Sequence, residues 1–176
     1  MFETLISKLQ DDKYLTLETT PQHEPSMHNI VEKIKKFKID SKVDGFTCTD
    51  NPLAKLKYNS LFAALKLQQE FKKPVIATMT MRDRNKIALQ SDLLGANDFD
   101  IRAILALTGD PANMSDQPNS KGVFEANSLM LLKMIKSFNY GMDFAGRPFK
   151  IEPKQIFPFA VVNAYAKNFG SLEKKM

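Results

Sequence analysis

Charged side chains in this sequence recur just after short apolar runs. Glu18 follows YLTL, Asp50 follows GFTCT, the Arg82–Asp83–Arg84 triplet follows PVIATMTM, and Asp110 follows ILALTG. In parallel α/β proteins, the space beyond the carboxyl ends of the strands is where ligands bind. The sharpest of the four is ILALTGDP, residues 104–111. Its apolar run reads as a buried strand. Gly109 permits a tight turn or a close approach to a ligand, and Pro111 stops the strand. Asp110 is left as the one charge beyond the strand end. A carboxylate there can face a ligand, or it can cap a turn as Asp before Pro commonly does. That stretch alone supports both readings equally.

Other chemistries find little material. His23 and His28 lie near each other, but one cysteine, Cys48, and no acidic cluster accompany them. A zinc site takes four protein ligands, or three and a water, so no metal is expected. The single cysteine rules out an intrachain disulfide and suits a reducing cytoplasm. No apolar run approaches a membrane span, and MFETLISKLQDDK has no signal-peptide pattern. The net charge of +5 comes from dispersed lysines without the aromatic interleaving that reads single-stranded nucleic acid. Neither a membrane nor a nucleic-acid partner is therefore expected. With 43% hydrophobic and 26% charged residues, the 176-residue chain has the composition of one folded domain.

The elements that must position these charges alternate. A helix is expected over residues 2–10, then strands at 14–19, 45–49, 74–80, 103–108 and 156–162. Between them the 3.6-residue periodicity predicts helices over 27–37, from a cap at Asn59 to Phe71, and from about Ile87 through Ala96. Another follows a cap at Asn127 or Ser128. A long Asp-, Pro-, Asn-, Ser- and Gly-rich loop covers 109–125, and residues 171–176 read as the opening of a further helix. Alternation of this kind specifies a parallel sheet covered by helices. Both a doubly wound sheet and a TIM (β/α)8 barrel satisfy it. No strand-to-helix turn carries the Gly-x-Gly-x-x-Gly phosphate signature, and polar residues end all five strands, Asn163 being the last. A barrel gathers such positions around one mouth, so the α/β class expected is the barrel. Eight units need about 250 residues, and this chain supplies about five. It is expected to be one incomplete barrel domain over 1–176, the amino-terminal part of a longer barrel. An open sheet of that kind invites association, so a homo-oligomer is one expected outcome.

Five motifs occur in order: LETTP (17–21), VDGFTCTDNP (43–52), RDRNKIALQSDLLGA (82–96), ILALTGDP (104–111) and FAVVN (159–163). Their order and spacing resemble the methylenetetrahydrofolate reductase family from about Tyr14 onward. The pairing of RDRN-x-IALQSDLLGA with LALTGDP is the most specific part. The resemblance implies a barrel holding FAD at its carboxyl mouth, with NADH or NADPH as electron donor. The implied reaction is reduction of 5,10-methylenetetrahydrofolate to 5-methyltetrahydrofolate in a cytoplasmic enzyme.

The resemblance also implies roles. Glu18 matches the family's strand-one acid, which helps open the folate's five-membered ring. A carboxyl is required because breaking the methylene bridge leaves a nitrogen that must gain a proton. Such an acid works best with a pKa raised toward ambient pH by burial or an unfavourable neighbour. Asp110 matches an aspartate beside the flavin that contacts the pterin. Thr49, Asp50 and Pro52 match flavin contacts after strand two, and Leu107, Thr108 and Gly109 match backbone that lines the flavin. Phe124 and Asn127 align near the adenosine portion, and Asn163 with a strand-five contact. Lys174 and Lys175 fall where basic residues approach the pyrophosphate; a solvated helix end explains them equally well. Thr78 stands where some members carry a histidine, and Met81 where cysteine is frequent. Thr19, Thr20 and Gln22 replace aromatic and proline residues common after the glutamate. The family's folate-binding glutamine belongs to a strand that follows Met176. Two other readings stay open: a non-catalytic flavin- or folate-binding remnant or partner subunit, and a flavin-free pterin methyltransferase barrel. For Arg82, Asp83 and Arg84 a helix-start network is expected, with Asp83 near the helix end and an arginine bracing the loop.

Overall fold

The computed structural model describes residues 1–11 and 13–161. Five helices and five strands alternate. Helix α1 (Phe2–Asp11) precedes β1 (Thr16–Thr19), and α2 (His28–Lys36) leads to β2 (Gly45–Cys48). Then come α3 (Ser60–Phe71), β3 (Val75–Thr80), α4 (Lys86–Asp98), β4 (Ala103–Leu107), α5 (Ser128–Asn139) and β5 (Phe157–Ala160). Single 3₁₀ turns lie at Asp40–Lys42, Pro52–Ala54 and Ala112–Met114. The expected order is found, with strand ends one to three residues shorter than the apolar runs. Asn163, Lys174, Lys175 and the expected helix over 171–176 lie outside the described residues.

Three helices begin where an asparagine stops the preceding loop. Asn59 Oδ1 accepts from Leu61 N (2.9 Å) and Phe62 N (3.2 Å). Asn85 Oδ1 accepts from Ala88 N at 2.9 Å, and Asn127 Oδ1 from Leu129 N at 3.1 Å. Each side chain satisfies backbone donors that have no partner inside the helix, a contribution of about 1 kcal/mol.

All four strand pairings are parallel, and the order across the sheet is β1-β2-β3-β4-β5. Each strand is laid beside its predecessor in one direction. A doubly wound sheet reverses direction at a switch point, and no reversal occurs among the described strands. Side chains alternate across the sheet. Phe46, Cys48, Val75, Ala77, Met79, Ile104 and Ala106 join the core beneath α2–α5, along with Met27, Leu67, Leu93 and Met134. On the opposite face, Ile76, Ala103, Leu105 and Phe159 meet Leu5, Phe2 and Tyr14. β3, in the middle, is buried at all six positions.

Helix α1 is fixed to the amino ends of the strands. Glu3 Oε1 accepts from Arg102 Nη2 at 3.1 Å just before β4, and the Arg102 guanidinium lies 4.0 Å from the Phe2 ring centre. Lys8 pairs with Asp44 just before β2, and Asp44 Oδ2 also accepts from Leu15 N at 2.9 Å. The amino edge is thus occupied by α1, while the strand-to-helix loops meet at the carboxyl edge. No described helix is long and apolar enough to cross a membrane.

Candidate active site

The carboxyl ends of β2, β3 and β4 are joined by two charge networks. The first centres on Asp50, which is 4% exposed. Its Oδ2 accepts from Thr80 N and Thr80 Oγ1, both at 3.0 Å, and from Arg84 Nη1 at 2.6 Å. Oδ1 accepts from Arg84 Nη2 at 3.3 Å, and Arg84 Nε reaches Asp92 Oδ2 on α4 at 2.8 Å. Burial opposes the charge of Arg84, but the bonds it donates to Asp50 outweigh this and hold the guanidinium above its ordinary pKa. Asp92 is displaced the other way. Burial lifts its carboxyl above the usual range, Arg84 only partly offsets this, and Asp50 adds repulsion.

The second network centres on Arg82, which is 2% exposed. Nε and Nη2 donate to Asp83 Oδ1 and Oδ2 at 2.7 and 2.6 Å, and Nη2 also donates to Asn51 O at 3.0 Å. Burial alone would raise the Asp83 pKa; the paired bonds from Arg82 prevail and hold it below the usual range. Asp83 therefore serves Arg82 and not the start of α4, which Asn85 caps. Arg84 does brace the loop, through Asp50 and Asp92. Asn51, Arg82 and Arg84 carry most of this organisation, and the sequence pattern singles out only the triplet.

The residues named for cofactor and substrate fall into three groups. Thr49, Thr78, Leu107, Thr108, Gly109 and Asp110 gather at the carboxyl ends of β2–β4. Phe46 and Cys48 point into the helix-covered core, so alternation turns Thr47 and Thr49 to the opposite face. Thr49 Oγ1 is buried and has no hydrogen-bond partner among the described residues. Thr78 is 3% exposed in the corresponding row of β3. Thr108 is exposed and its Oγ1 accepts from Ser128 N at 3.2 Å. Gly109 has φ +96°, and a Cβ there would lie 3.1 Å from both Arg82 Cβ and Thr80 Cβ. Only glycine combines that backbone with that approach. Asp110 is half-buried and its Oδ2 accepts from Leu53 N at 2.6 Å. The turn that Asp110 fastens is therefore not its own but the 3₁₀ turn after β2.

A second group sits further out. Pro52 starts the 3₁₀ turn after β2. Phe124 (φ +38°, 36% exposed) lies over Gly122, whose added Cβ would meet the ring at 2.3 Å. Asn127 is occupied capping α5.

Asp50 and Glu18 form the contrasting third group. Asp50 is placed at the edge, but its oxygens are already engaged by Thr80 and Arg84. Glu18 pairs with Thr47 in the sheet register and is exposed. Its carboxylate makes no hydrogen bond among the described residues. Thr19 points the other way, its Oγ1 donating to Thr47 O at 3.0 Å and lying 3.4 Å from Cys48 Sγ. Burial pushes the Cys48 thiol up to about 12, which leaves it a core side chain and not a nucleophile.

The edge thus offers an exposed carboxylate, a half-buried carboxylate, hydroxyls and a glycine turn beside half-buried Leu105 and Leu107. That combination suits a flat, partly polar ring held against backbone, with proton transfer at one side. The orphaned Thr49 hydroxyl and the glycine approach fit a flavin ring better than a bare cation. No curated protein matches the chain. The family model for methylenetetrahydrofolate reductase matches residues 3–153, most of the sequence.

Proposed function

Because the chain belongs to the methylenetetrahydrofolate reductase family, we propose that it carries the flavin- and folate-facing half of an NAD(P)H-dependent methylenetetrahydrofolate reductase. The observation that carries this reading is the convergence of Glu18, Thr49, Thr78 and Thr108–Gly109–Asp110 on one edge of a singly wound parallel sheet. The same winding supports reading β1–β5 as five strands of a (β/α)8 barrel, with that edge as its mouth.

A bound flavin supplies the two-electron chemistry that links a nicotinamide to the folate carbon. The protein's own groups do the rest. The backbone of Leu107, Thr108 and Gly109 lines the ring, and Thr49 Oγ1 supplies a hydroxyl still free to bond. Asp50 holds the β2 exit in place and does not itself touch the ligand, since Thr80 and Arg84 engage its oxygens. Phe124 and Asn127 lie on the outer rim, where an adenosine portion would run, and Pro52, at the start of the turn after β2, is proposed as a flavin contact. Asn163, Lys174 and Lys175 are proposed for the far side of the same cofactor.

Glu18 gives a proton to the folate nitrogen that leaves the methylene bridge, and the resulting iminium accepts hydride at carbon. Asp110 places negative charge beside that developing cation, worth several kcal/mol in a water-poor site. Closing folate over Glu18 would remove water from a carboxyl that is otherwise solvated.

The test uses the full-length protein with FAD. It should bind the flavin, NADH or NADPH should bleach the flavin absorbance, and methylenetetrahydrofolate should restore it. Glu18→Gln should leave the bleaching intact and slow the folate-driven return by about 10²–10⁴-fold. Loss of neither half-reaction would remove Glu18 from the mechanism. Protein that takes up no flavin would overturn the assignment as a whole. The exposure of Glu18 favours one alternative, a flavin- or folate-binding chain without turnover. That alternative predicts bleaching with no return even in the unsubstituted protein.

A further inference from the structure

Nothing in the reading above employs Arg82, although it is the largest fully buried side chain of the described molecule. Its connections form a closed circuit. The guanidinium is seated on Asp83 and donates from Nη2 to Asn51 O, the first residue of the turn after β2. That turn runs through Asn51, Leu53 and Ala54 at φ +43°, +57° and +57°. Leucine and alanine seldom occupy the left-handed region, and they persist there only where neighbouring contacts hold them. The conformation aims Leu53 N at Asp110 Oδ2, 2.6 Å away. Asp110 follows Gly109, whose backbone passes over the Arg82 stem closely enough that a Cβ would lie 3.1 Å from Arg82 Cβ. Arg82 O accepts from Val123 N at 2.6 Å, tying down the far end of the same loop. Head, stem and carbonyl of one arginine thus fix both neighbours of the Asp110 carboxylate.

We propose that Arg82 is a positioning residue for Asp110, acting through the 51–54 turn: it sets where that carboxylate stands when ligand arrives. The charge of Arg82 also acts on Asp110, besides Asp83 and Asp50. Nη1 has no partner among the described residues; the guanidinium is satisfied toward Asp83 and Asn51 and toward nothing else. A lysine cannot reproduce this, because one ammonium cannot span the two Asp83 oxygens and the Asn51 carbonyl in a fixed fork. The functional half of the proposal rests on reading Asp110 as a folate-facing group.

The test is amide hydrogen exchange and ligand affinity on the full-length protein, in a double-substitution cycle of Arg82→Lys and Asp110→Asn. Arg82→Lys should speed exchange at Leu53 at least tenfold while the Ala77 and Ala106 amides of the core strands hold their rates. Asp110→Asn should do the same, and the two together should add nothing further. Affinity for 5-methyltetrahydrofolate, read by fluorescence on the FAD-loaded protein, should fall about tenfold on Arg82→Lys when Asp110 is present. It should be insensitive to Arg82→Lys in the Asp110→Asn background. Unchanged Leu53 exchange, or an equal affinity loss in both backgrounds, overturns the proposal. If Arg82→Lys does not fold, Asp83→Asn loosens the seat of the same guanidinium and must give the same pattern. A wild-type protein that binds no folate, with Leu53 still responding to Arg82→Lys, supports the Arg82–Asp110 link and overturns the reductase reading instead.

Discussion

The corner and the flanks of the carboxyl edge use carboxylates for opposite purposes. At the β2–β3 corner, Asp50 is buried and accepts four hydrogen bonds from Thr80 and Arg84. At the flanks, Glu18 on β1 is exposed and unbonded among the described residues, and Asp110 after β4 accepts only from Leu53 N. Each carboxylate follows an apolar strand, so position along the chain does not distinguish them. What distinguishes them is the number of donors that neighbouring strands present. A saturated carboxylate holds strands in register, and one with open lone pairs can meet a ligand.

The largest effect should therefore come from the saturated corner. Asp50→Asn, or more severely Asp50→Ala, removes the carboxylate that accepts two bonds from Arg84 and leaves that mostly buried guanidinium with the half-buried Asp92 and the charge of Asp83. Breaking a buried pair on one side costs about 3–5 kcal/mol, a large fraction of the stability of a domain this size. Urea denaturation should show a collapse of the midpoint or loss of the native state. A midpoint within experimental error of the unsubstituted protein would mean that the network is not structural.

Next comes the turn that carries Asp110. Gly109→Ala places a Cβ in the left-handed region and against Arg82 and Thr80. A destabilisation of about 1–2 kcal/mol is expected from the backbone alone. The added contacts should also displace Asp110, so folate affinity should fall by more than the stability loss explains. Equal affinity in wild type and variant would show that the loop absorbs the change elsewhere.

Within the two networks, a pair of carboxylates provides a smaller contrast of sign. Asp83 titrates below its ordinary value of 3.8. Its stabilisation is present above that value and is lost as pH falls through the depressed folded pKa. Asp92 titrates above 3.8. Its contribution is present below 3.8 and is lost as pH rises through the raised folded pKa. Melting temperature against pH should separate them. Asp83→Asn should lower stability at neutral pH and flatten the acid limb, whereas Asp92→Asn should be nearly neutral or mildly favourable at neutral pH. The same sign for both variants would contradict the assigned environments.

How much of this was legible in the sequence depends on range. The starts of α3 and α5 were legible because Asn59 and Asn127 cap backbone donors two or three residues away; the Asn85 cap of α4 was not singled out. The parallel sheet was legible because continuous apolar runs such as VIATMT and AILAL have few other uses. The winding direction was narrowed by absent phosphate motifs, and the strand order adds that no reversal occurs among the described strands. The division of labour among carboxylates was not legible. Asp50 meets Thr80 and Arg84 across thirty or more positions, and Asp110 meets Leu53 across fifty-seven. Asp83 was expected to favour the α4 end from adjacency alone, and an equally adjacent arginine captured it. The strain at Leu53 and Ala54 has no sequence signal, since neither residue favours a positive φ.

The smallest stability effect is expected at Glu18, and it completes the contrast with Asp50. Glu18→Gln removes a charge of the same sign from the next strand of the same sheet. Its side chain is exposed and its carboxylate has no donor among the described residues to leave unpaired. Substitutions at such positions change stability by less than about 0.5 kcal/mol. Denaturation midpoints of Glu18→Gln and wild type should therefore coincide while their folate half-reactions differ. A carboxylate whose loss costs several kcal/mol is built into the fold, and one whose loss costs nothing in the fold is available for chemistry. If Glu18→Gln shifted the midpoint as far as Asp50→Asn does, Glu18 would belong with the strand-holding network, and the division of the edge into a fastened corner and open flanks would fail.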